Sequence, residues 1–324
     1  MLTRREAIKA GVAAGVSSFV GGVSTASAAV PLPKTKVNFD VPAGGCDCHV
    51  HVFGDPKKYP FFDGRTYTPE TASVDELRQL LSALRLERVV IVQPSVYGTD
   101  NACTLDGMRA LGARARGVAV IDDKTTDAQL DAMGKDGVRG IRLNLATAGI
   151  TDPNVARQRF QNAVTRAQKR GWHIQINTQP SVIDALSDMF LASPVPIVID
   201  HFGGATAKGG LQQPGFGALV NLVKSGKAYV KISGSADSVS TQPDLSDVAP
   251  LARALVAANP QRILWGTNWP HPGSTPVPGR KSTDLAVHMQ TDDGKVLNML
   301  PVWVPEAATR RLILVENPAR LYGW

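Results

Sequence analysis

The first apolar run of the chain ends in Asp47-Cys48-His49-Val50-His51. In an extended strand alternate side chains share a face, so His49 and His51 present two imidazoles to one point, able to ligate a metal ion or to polarise a carbonyl. Two later runs also end in histidine-bearing segments, Asp200-His201 and Trp265-Gly266-Thr267-Asn268-Trp269-Pro270-His271, and together the three hold four of the six histidines. The same alternation places Cys46 and Cys48 on one face and Asp47 and His49 on the other, which makes the cysteines small buried apolar groups set against a covering helix. With Cys103 they number three, too few for a disulfide-stapled scaffold. His173, at the start of its run, reads as a core histidine, and His288 takes no role.

Groups so far apart in the chain need a scaffold to bring them together, and the sequence repeats one unit. Eight apolar runs, residues 46–53, 89–93, 117–121, 140–145, 173–177, 196–201, 228–233 and 263–266, alternate with helical patterns, the mark of βα units around a parallel sheet. Val89-Val90-Ile91-Val92 and Ile197-Val198-Ile199 are apolar on both faces, as strands between outer helices and a packed barrel interior must be. Residues 74–86 set Leu77, Leu80, Leu81 and Leu84 at helical spacing, with Asp75 and Glu76 in the first turn, where negative charge suits the helix dipole. Residues 153–170 repeat the pattern with Val155, Phe160, Val164 and Ala167 and stop at Gly171. A content of 43% hydrophobic and 19% charged residues is that of a globular chain, and no linker or composition shift divides it. The expected fold is α/β, a single-domain (β/α)8 TIM barrel over residues 44–324. Catalytic groups in such barrels gather at the C-terminal ends of the strands, so the loops 203–217 and 270–279 are candidate active-site loops.

Gly45-Cys-Asp-Cys-His-Val-His-Val-Phe-Gly54, Ile91-Val-Gln-Pro-Ser95, Gly98-Thr-Asp-Asn101, Gly137-Val-Arg-Gly-Ile-Arg142, Val195-Pro-Ile-Val-Ile-Asp-His201, Trp265-Gly-Thr-Asn-Trp-Pro-His271 and the closing Asn317-Pro-Ala-Arg-Leu-Tyr322 follow one another in order along nearly the whole chain. Collectively they resemble the amidohydrolase superfamily, in its branch of 2-pyrone-4,6-dicarboxylate lactonases and galactarolactone isomerases. The resemblance implies a lactone hydrolase in which His49, His51 and His201 hydrogen-bond the lactone carbonyl and stabilise its oxyanion. It also implies a general base at the position of Asn268, where the lactonases carry aspartate. An amide cannot take a proton from water near neutral pH. Three alternatives therefore stand: a lactone isomerase whose nucleophile is the substrate's own hydroxyl, a hydrolase in which His271 or another group is the base, or a disabled lactone-binding homologue.

The metal-dependent relatives add a histidine after the fifth strand and an aspartate after the eighth, where this chain has Asn177 and Asn268. The expectation is thus no cofactor, with zinc on His49, His51 and His201 as the alternative. Arg142 is expected to grip a substrate carboxylate. Tyr67, Ser95, Asn101, Asn177 and the inward cation Lys231 complete the candidate substrate contacts. The resemblance implies an arginine beyond the seventh strand and a basic residue after the fourth, where this chain reads Ser233-Gly-Ser-Ala-Asp-Ser-Val-Ser240 and Ala146-Thr-Ala-Gly-Ile150, so a flat aromatic dicarboxylate fits less well than a sugar-acid lactone or another monocarboxylate.

The opening residues form a segment of their own. Arg4-Arg5, a weakly apolar stretch to Val23 and Ala26-Ser27-Ala28 make a twin-arginine-type signal peptide over residues 1–28, followed by an N-terminal extension over 29–43. The expected product of the twin-arginine export machinery is a periplasmic protein with no membrane attachment after cleavage. Removing the leader takes away three basic residues and one acidic one, which lowers the formal charge from +7 to +5. The remaining basic residues are scattered, so the expected partner is a small anionic molecule and no nucleic acid.

Overall fold

Eight short strands form the centre of the molecule: β1 (Cys46–Val50), β2 (Arg88–Val92), β3 (Ala115–Ala119), β4 (Val138–Asn144), β5 (His173–Asn177), β6 (Ile197–Ile199), β7 (Ala228–Lys231) and β8 (Ile263–Leu264). Each pairs in parallel with the next in sequence order. Parallel neighbours need a crossover, and helices provide it. Among them are α1 (Val74–Leu84), α2 (Ala102–Leu111), α3 (Asp127–Lys135) and α4 (Pro153–Gln168). The computed structural model describes residues 30–232, 239–242, 245–275 and 277–324; the expected signal peptide and most of the 233–240 stretch lie outside the described residues.

The ring closes between β8 and β1. Cys48 N donates to the Trp265 carbonyl at 2.9 Å, Asn268 N to that of His49 at 2.8 Å and His51 N to that of Trp269 at 2.8 Å. Only glycine allows this approach at position 266, because a Cβ there would stand 2.7 Å from the His49 nitrogen.

Two apolar layers follow from strand alternation. Outward residues such as Val89, Ile91, Ile141, Ile174 and Ile197 pack under the helices. Inward residues Cys46, Cys48, Val90, Val118, Val198 and Leu264 fill the barrel together with Tyr322. Tyr322 ends the last helix (Asn317–Tyr322) and closes the N-terminal end, its ring edge-on to His173 with centroids 5.2 Å apart. A Cβ at Gly140 would fall 2.4 Å from that imidazole, so the glycine makes room for a core histidine.

The helices obey local rules. Ser73 and Glu76 form a reciprocal capping box at the start of α1, which buries Leu77, Leu80, Leu81 and Leu84, each contributing about 1.5–3 kcal/mol. It stops at Leu84, not Leu86, because Arg85 is left-handed at φ 57°. Helix α4 buries Ala156, Phe160, Ala163 and Ala167. Val155 lies one position off that stripe and is 40% exposed, which corrects its expected burial.

Residues 30–43 pack against the barrel. Thr35 N donates to Asp292 Oδ2 at 3.1 Å, and the Pro31 carbonyl accepts from Trp269 Nε1 at 2.9 Å, tying the extension to the segment after β8. Gly266→Ala should reduce stability by about 1–3 kcal/mol, since either β8 or the His49 backbone must move. Denaturant unfolding of the variant checks this, and an unchanged midpoint would show that the closure tolerates a Cβ.

Candidate active site

The path of β1 is set by an irregularity. Asp47 pairs with Val89 and Val50 with Ile91, so three steps on β1 match two on β2, a β-bulge. Val50 turns outward beside Ile91, and His49 turns inward on the same side as Cys48. The expectation that Asp47 and His49 share a face is therefore corrected, as is that of a helix over the cysteines, since Cys46 and Cys48 fill the barrel interior. Asp47 faces away, where its carboxylate accepts from Thr267 Oγ1 at 2.7 Å, Thr267 N at 3.0 Å and His49 N at 3.0 Å. Burial pushes this carboxyl up to about 7.

One step below the mouth, the buried Asp200 gathers side chains from four strands. Lys231 Nζ lies 3.0 Å from its carboxylate and His49 Nδ1 3.2 Å, Gln175 Nε2 donates to it at 3.1 Å, and Arg142 Nη2 stands at 3.7 Å. Burial would raise Asp200, but Lys231, then His49 and Arg142, hold it well below the usual carboxylate range. Lys231 Nζ is also 3.1 Å from His49 Nδ1. Burial and the Lys231 charge hold the His49 imidazole well below its ordinary range, hence neutral. One carboxylate facing two cations leaves the floor of the site net positive.

His51 Nδ1 lies 2.7 Å from the Val92 carbonyl oxygen. A carbonyl only accepts, so Nδ1 carries the proton and Nε2 keeps its lone pair. Burial, then the nearby Arg142 charge, lowers this histidine to about 3. A neutral His51 is thus an acceptor at Nε2 and cannot donate to a substrate carbonyl, which changes the role expected of it.

The backbone is strained where strands meet the cleft. His201, Phe202, Asn268 and His271 have φ of 48°, 55°, 67° and 58°, and asparagine is the residue among them that most readily accepts this conformation. The turn at His201 brings its ring over His49, with centroids 4.6 Å apart.

A cleft of about 190 Å³ opens at this end of the barrel. His51, His201, Asn268, Arg142, Tyr67, Ser95 and Asn177, all expected at the site, line it. Tyr67 is brought there by a short parallel pairing of Thr68–Pro69 with Leu285–Ala286, and burial raises its hydroxyl to about 12, a neutral donor. The candidate loop after β8 contributes Pro272, Ser274 and Thr275; the loop 203–217 contributes nothing to the lining.

Four expected residues stand elsewhere. His49 and Lys231 belong to the floor beneath the cleft. His271 Nε2 lies 3.0 Å from both carboxylate oxygens of Asp293, so its ring fastens the loop after β8 to the helix Asp293–Asn298 and does not face substrate. Asn101 is a loop staple: its Nδ2 donates to the Val120 carbonyl at 2.8 Å and its Oδ1 accepts from Val120 N at 3.0 Å. Sequence reasoning gave no role to Asp200, Gln175 and Asn144. Alternation held the signal, since Gln175 shares a face with Asn177, and Asn144 with Arg142.

Among the described residues, the group whose ligand-type atoms lie within 4.8 Å of one another is His49, Asp200 and His201, without His51. The fit to a divalent cation is poor, because the Lys231 ammonium already stands within 3.1 Å of His49 and at 3.0 Å from Asp200, with a second cation, Arg142, close by.

A family model described as amidohydrolase matches residues 46–324. A 4-sulfomuconolactone hydrolase of Hydrogenophaga intermedia is 35% identical, covering 90% of this chain and 93% of its own. A 2-pyrone-4,6-dicarboxylate hydrolase of Comamonas testosteroni is 33% identical, with 89% and 93% covered. The solved apo structure of an Agrobacterium tumefaciens protein is 26% identical and superposes with a TM-score of 0.76, covering 90% of this chain and 98% of that one.

Two outcomes check the electrostatics. Lys231→Met should destabilise the protein by about 3 kcal/mol in denaturant unfolding, because it leaves a buried carboxylate without its nearest cation; a loss under about 1 kcal/mol would remove Lys231 from that role. A group depressed to about 3 charges only below that pH, so the His51 ring signals in NMR should hold their neutral positions from pH 8 down to 5. A titration near 6.5 would contradict the neutral tautomer.

Proposed function

This chain belongs to the amidohydrolase family, and from that premise we propose that it hydrolyses a carboxylated lactone without a metal ion. The observation that carries the reading is the His51–Val92 hydrogen bond of 2.7 Å, which leaves a basic nitrogen, Nε2, on the cleft wall where Asn268 cannot act as a base.

In this reading the substrate carboxylate pairs with Arg142, whose guanidinium lines the cleft. The lactone carbonyl oxygen accepts hydrogen bonds from the Asn268 amide and from His201. His51 Nε2 takes a proton from water as its oxygen bonds to the acyl carbon. The tetrahedral intermediate collapses with cleavage of the ring C–O bond, and the proton on His51 passes to the departing oxygen, giving a hydroxy acid or its tautomer. A base near 3 is weak, but Arg142 is one cause of that depression. A carboxylate bound to Arg142 offsets the charge and raises the basicity of His51 when substrate is present. Lys231 supports metal independence, since it supplies the positive charge beside Asp200 and His49. The leader over residues 1–28 supports a periplasmic site of action.

Asn268 favours a second reading, isomerisation. No carboxylate lines the cleft among the described residues, and a hydroxyl of the substrate held at high effective molarity needs less activation than water.

Proton NMR of chelator-treated protein with muconolactone-type and sugar-acid lactones decides between them. Hydrolysis predicts a ring-opened acid, with kcat falling about a hundredfold or more in His51→Gln. Interconversion of ring sizes without acid release would establish the isomerase, and turnover only in Asn268→Asp would mark a disabled binding homologue. Loss of activity on chelation, restored by zinc, would overturn metal independence.

A further inference from the structure

A second cleft, of about 500 Å³, lies beside the first and shares Ser95, Arg142, Asn144 and Thr147 with it. It runs between the segment after β3, the outer face of β4 and α4. Ile121, Ile141, Leu143, Leu145 and Ala163 give it apolar walls, and Phe62, 52% exposed, stands at its edge. Arg65, Arg159 and Arg166 also line it, together with Asp122 and Asp123. The two aspartates offset all but one of these three charges, so the distinguishing feature is the apolar wall.

Size argues that the two clefts serve one ligand. Small-molecule sites commonly enclose about 300–1,000 Å³. The mouth alone, at about 190 Å³, falls short of that, while the two joined at Arg142 fall within it. We propose that the lactone this chain takes carries an elongated, mainly hydrocarbon substituent that lies in the second cleft while its lactone ring and carboxylate occupy the first. The inference rests on the lactonase reading for its head group and extends it to the class of substrate.

The test is a series of carboxylated five-membered lactones with straight-chain substituents of one to eight carbons. Each buried methylene contributes about 0.8 kcal/mol, so kcat/KM should rise about three- to fourfold per carbon until the cleft is filled. Asn162 lines the second cleft from an exposed position on α4. Asn162→Trp should flatten the series and leave the shortest lactone unaffected; Ala148→Phe, on the opposite loop, does the same from the other side. Rates independent of chain length in the native protein, or variants that slow short and long lactones alike, would overturn the proposal. If no lactone is hydrolysed, the lactonase reading fails by itself, and calorimetric binding of the same series still decides the cleft. Affinity that grows with chain length in the native protein alone supports it, and length-independent affinity overturns it.

Discussion

The ion cluster around Asp200 sets the conditions for the rest of the site. A carboxylate buried at the centre of a barrel is tolerated only if cations and donors surround it, and here Lys231, Arg142 and Gln175 come from three different strands. Such a cluster contributes little net stability against an apolar core of equal volume, but it rewards a single register of the strands that supply it. It also leaves excess positive charge directly under the mouth. Burial, reinforced by that charge, keeps His49 and His51 neutral, and the charge makes the cleft receptive to an anion.

Around that cluster the backbone departs from regularity where chemistry is expected and keeps to it elsewhere. The bulge in β1 turns His49 inward, Gly266 lets β8 approach it, and left-handed residues at 201, 202, 268 and 271 end the strands sharply. Each such device costs free energy, on the order of 1–3 kcal/mol for a residue held in a sparsely populated conformation. The apolar layers under the helices and the Asp47–Thr267 and His271–Asp293 contacts hold them in place. His271 and Asp47 thus serve the site by positioning the segments that carry Asn268 and His49.

Asn268 stands where the resemblance of the sequence led to the expectation of a general base. An aspartate there would place a negative charge beside His51 and His201 and act as base. An amide keeps the hydrogen-bonding capacity and the tolerance for left-handed backbone but gives up proton transfer. In the proposed reaction proton transfer falls to His51 Nε2, which stays unprotonated because the Val92 carbonyl holds the ring proton on Nδ1.

Much of this was legible in the sequence. The strands begin and end within a few residues of the apolar runs, because a strand covered on both faces must be apolar on both, and the period of the helices is equally local. The presence of His51, His201, Asn268, Arg142 and Asn177 at one mouth followed from their places at strand ends in a parallel barrel. Roles were another matter. Alternation put Asp47 on the face of His49 and turned Cys46 and Cys48 away from it, and both fail because one inserted residue in β1 reverses the parity and leaves no mark in composition. His271 sits three residues from Asn268 yet turns to Asp293, and Lys231 lies beneath the cleft and not on its wall. These outcomes depend on contacts between residues far apart in the chain, on distances of a few ångströms and on which atom faces a carbonyl. The barrel and the set of groups at its mouth follow from local periodicity and are therefore written into the order of the residues. Which of those groups accept, donate or merely support emerges in the folded chain alone, since that depends on where each side chain finds its partner.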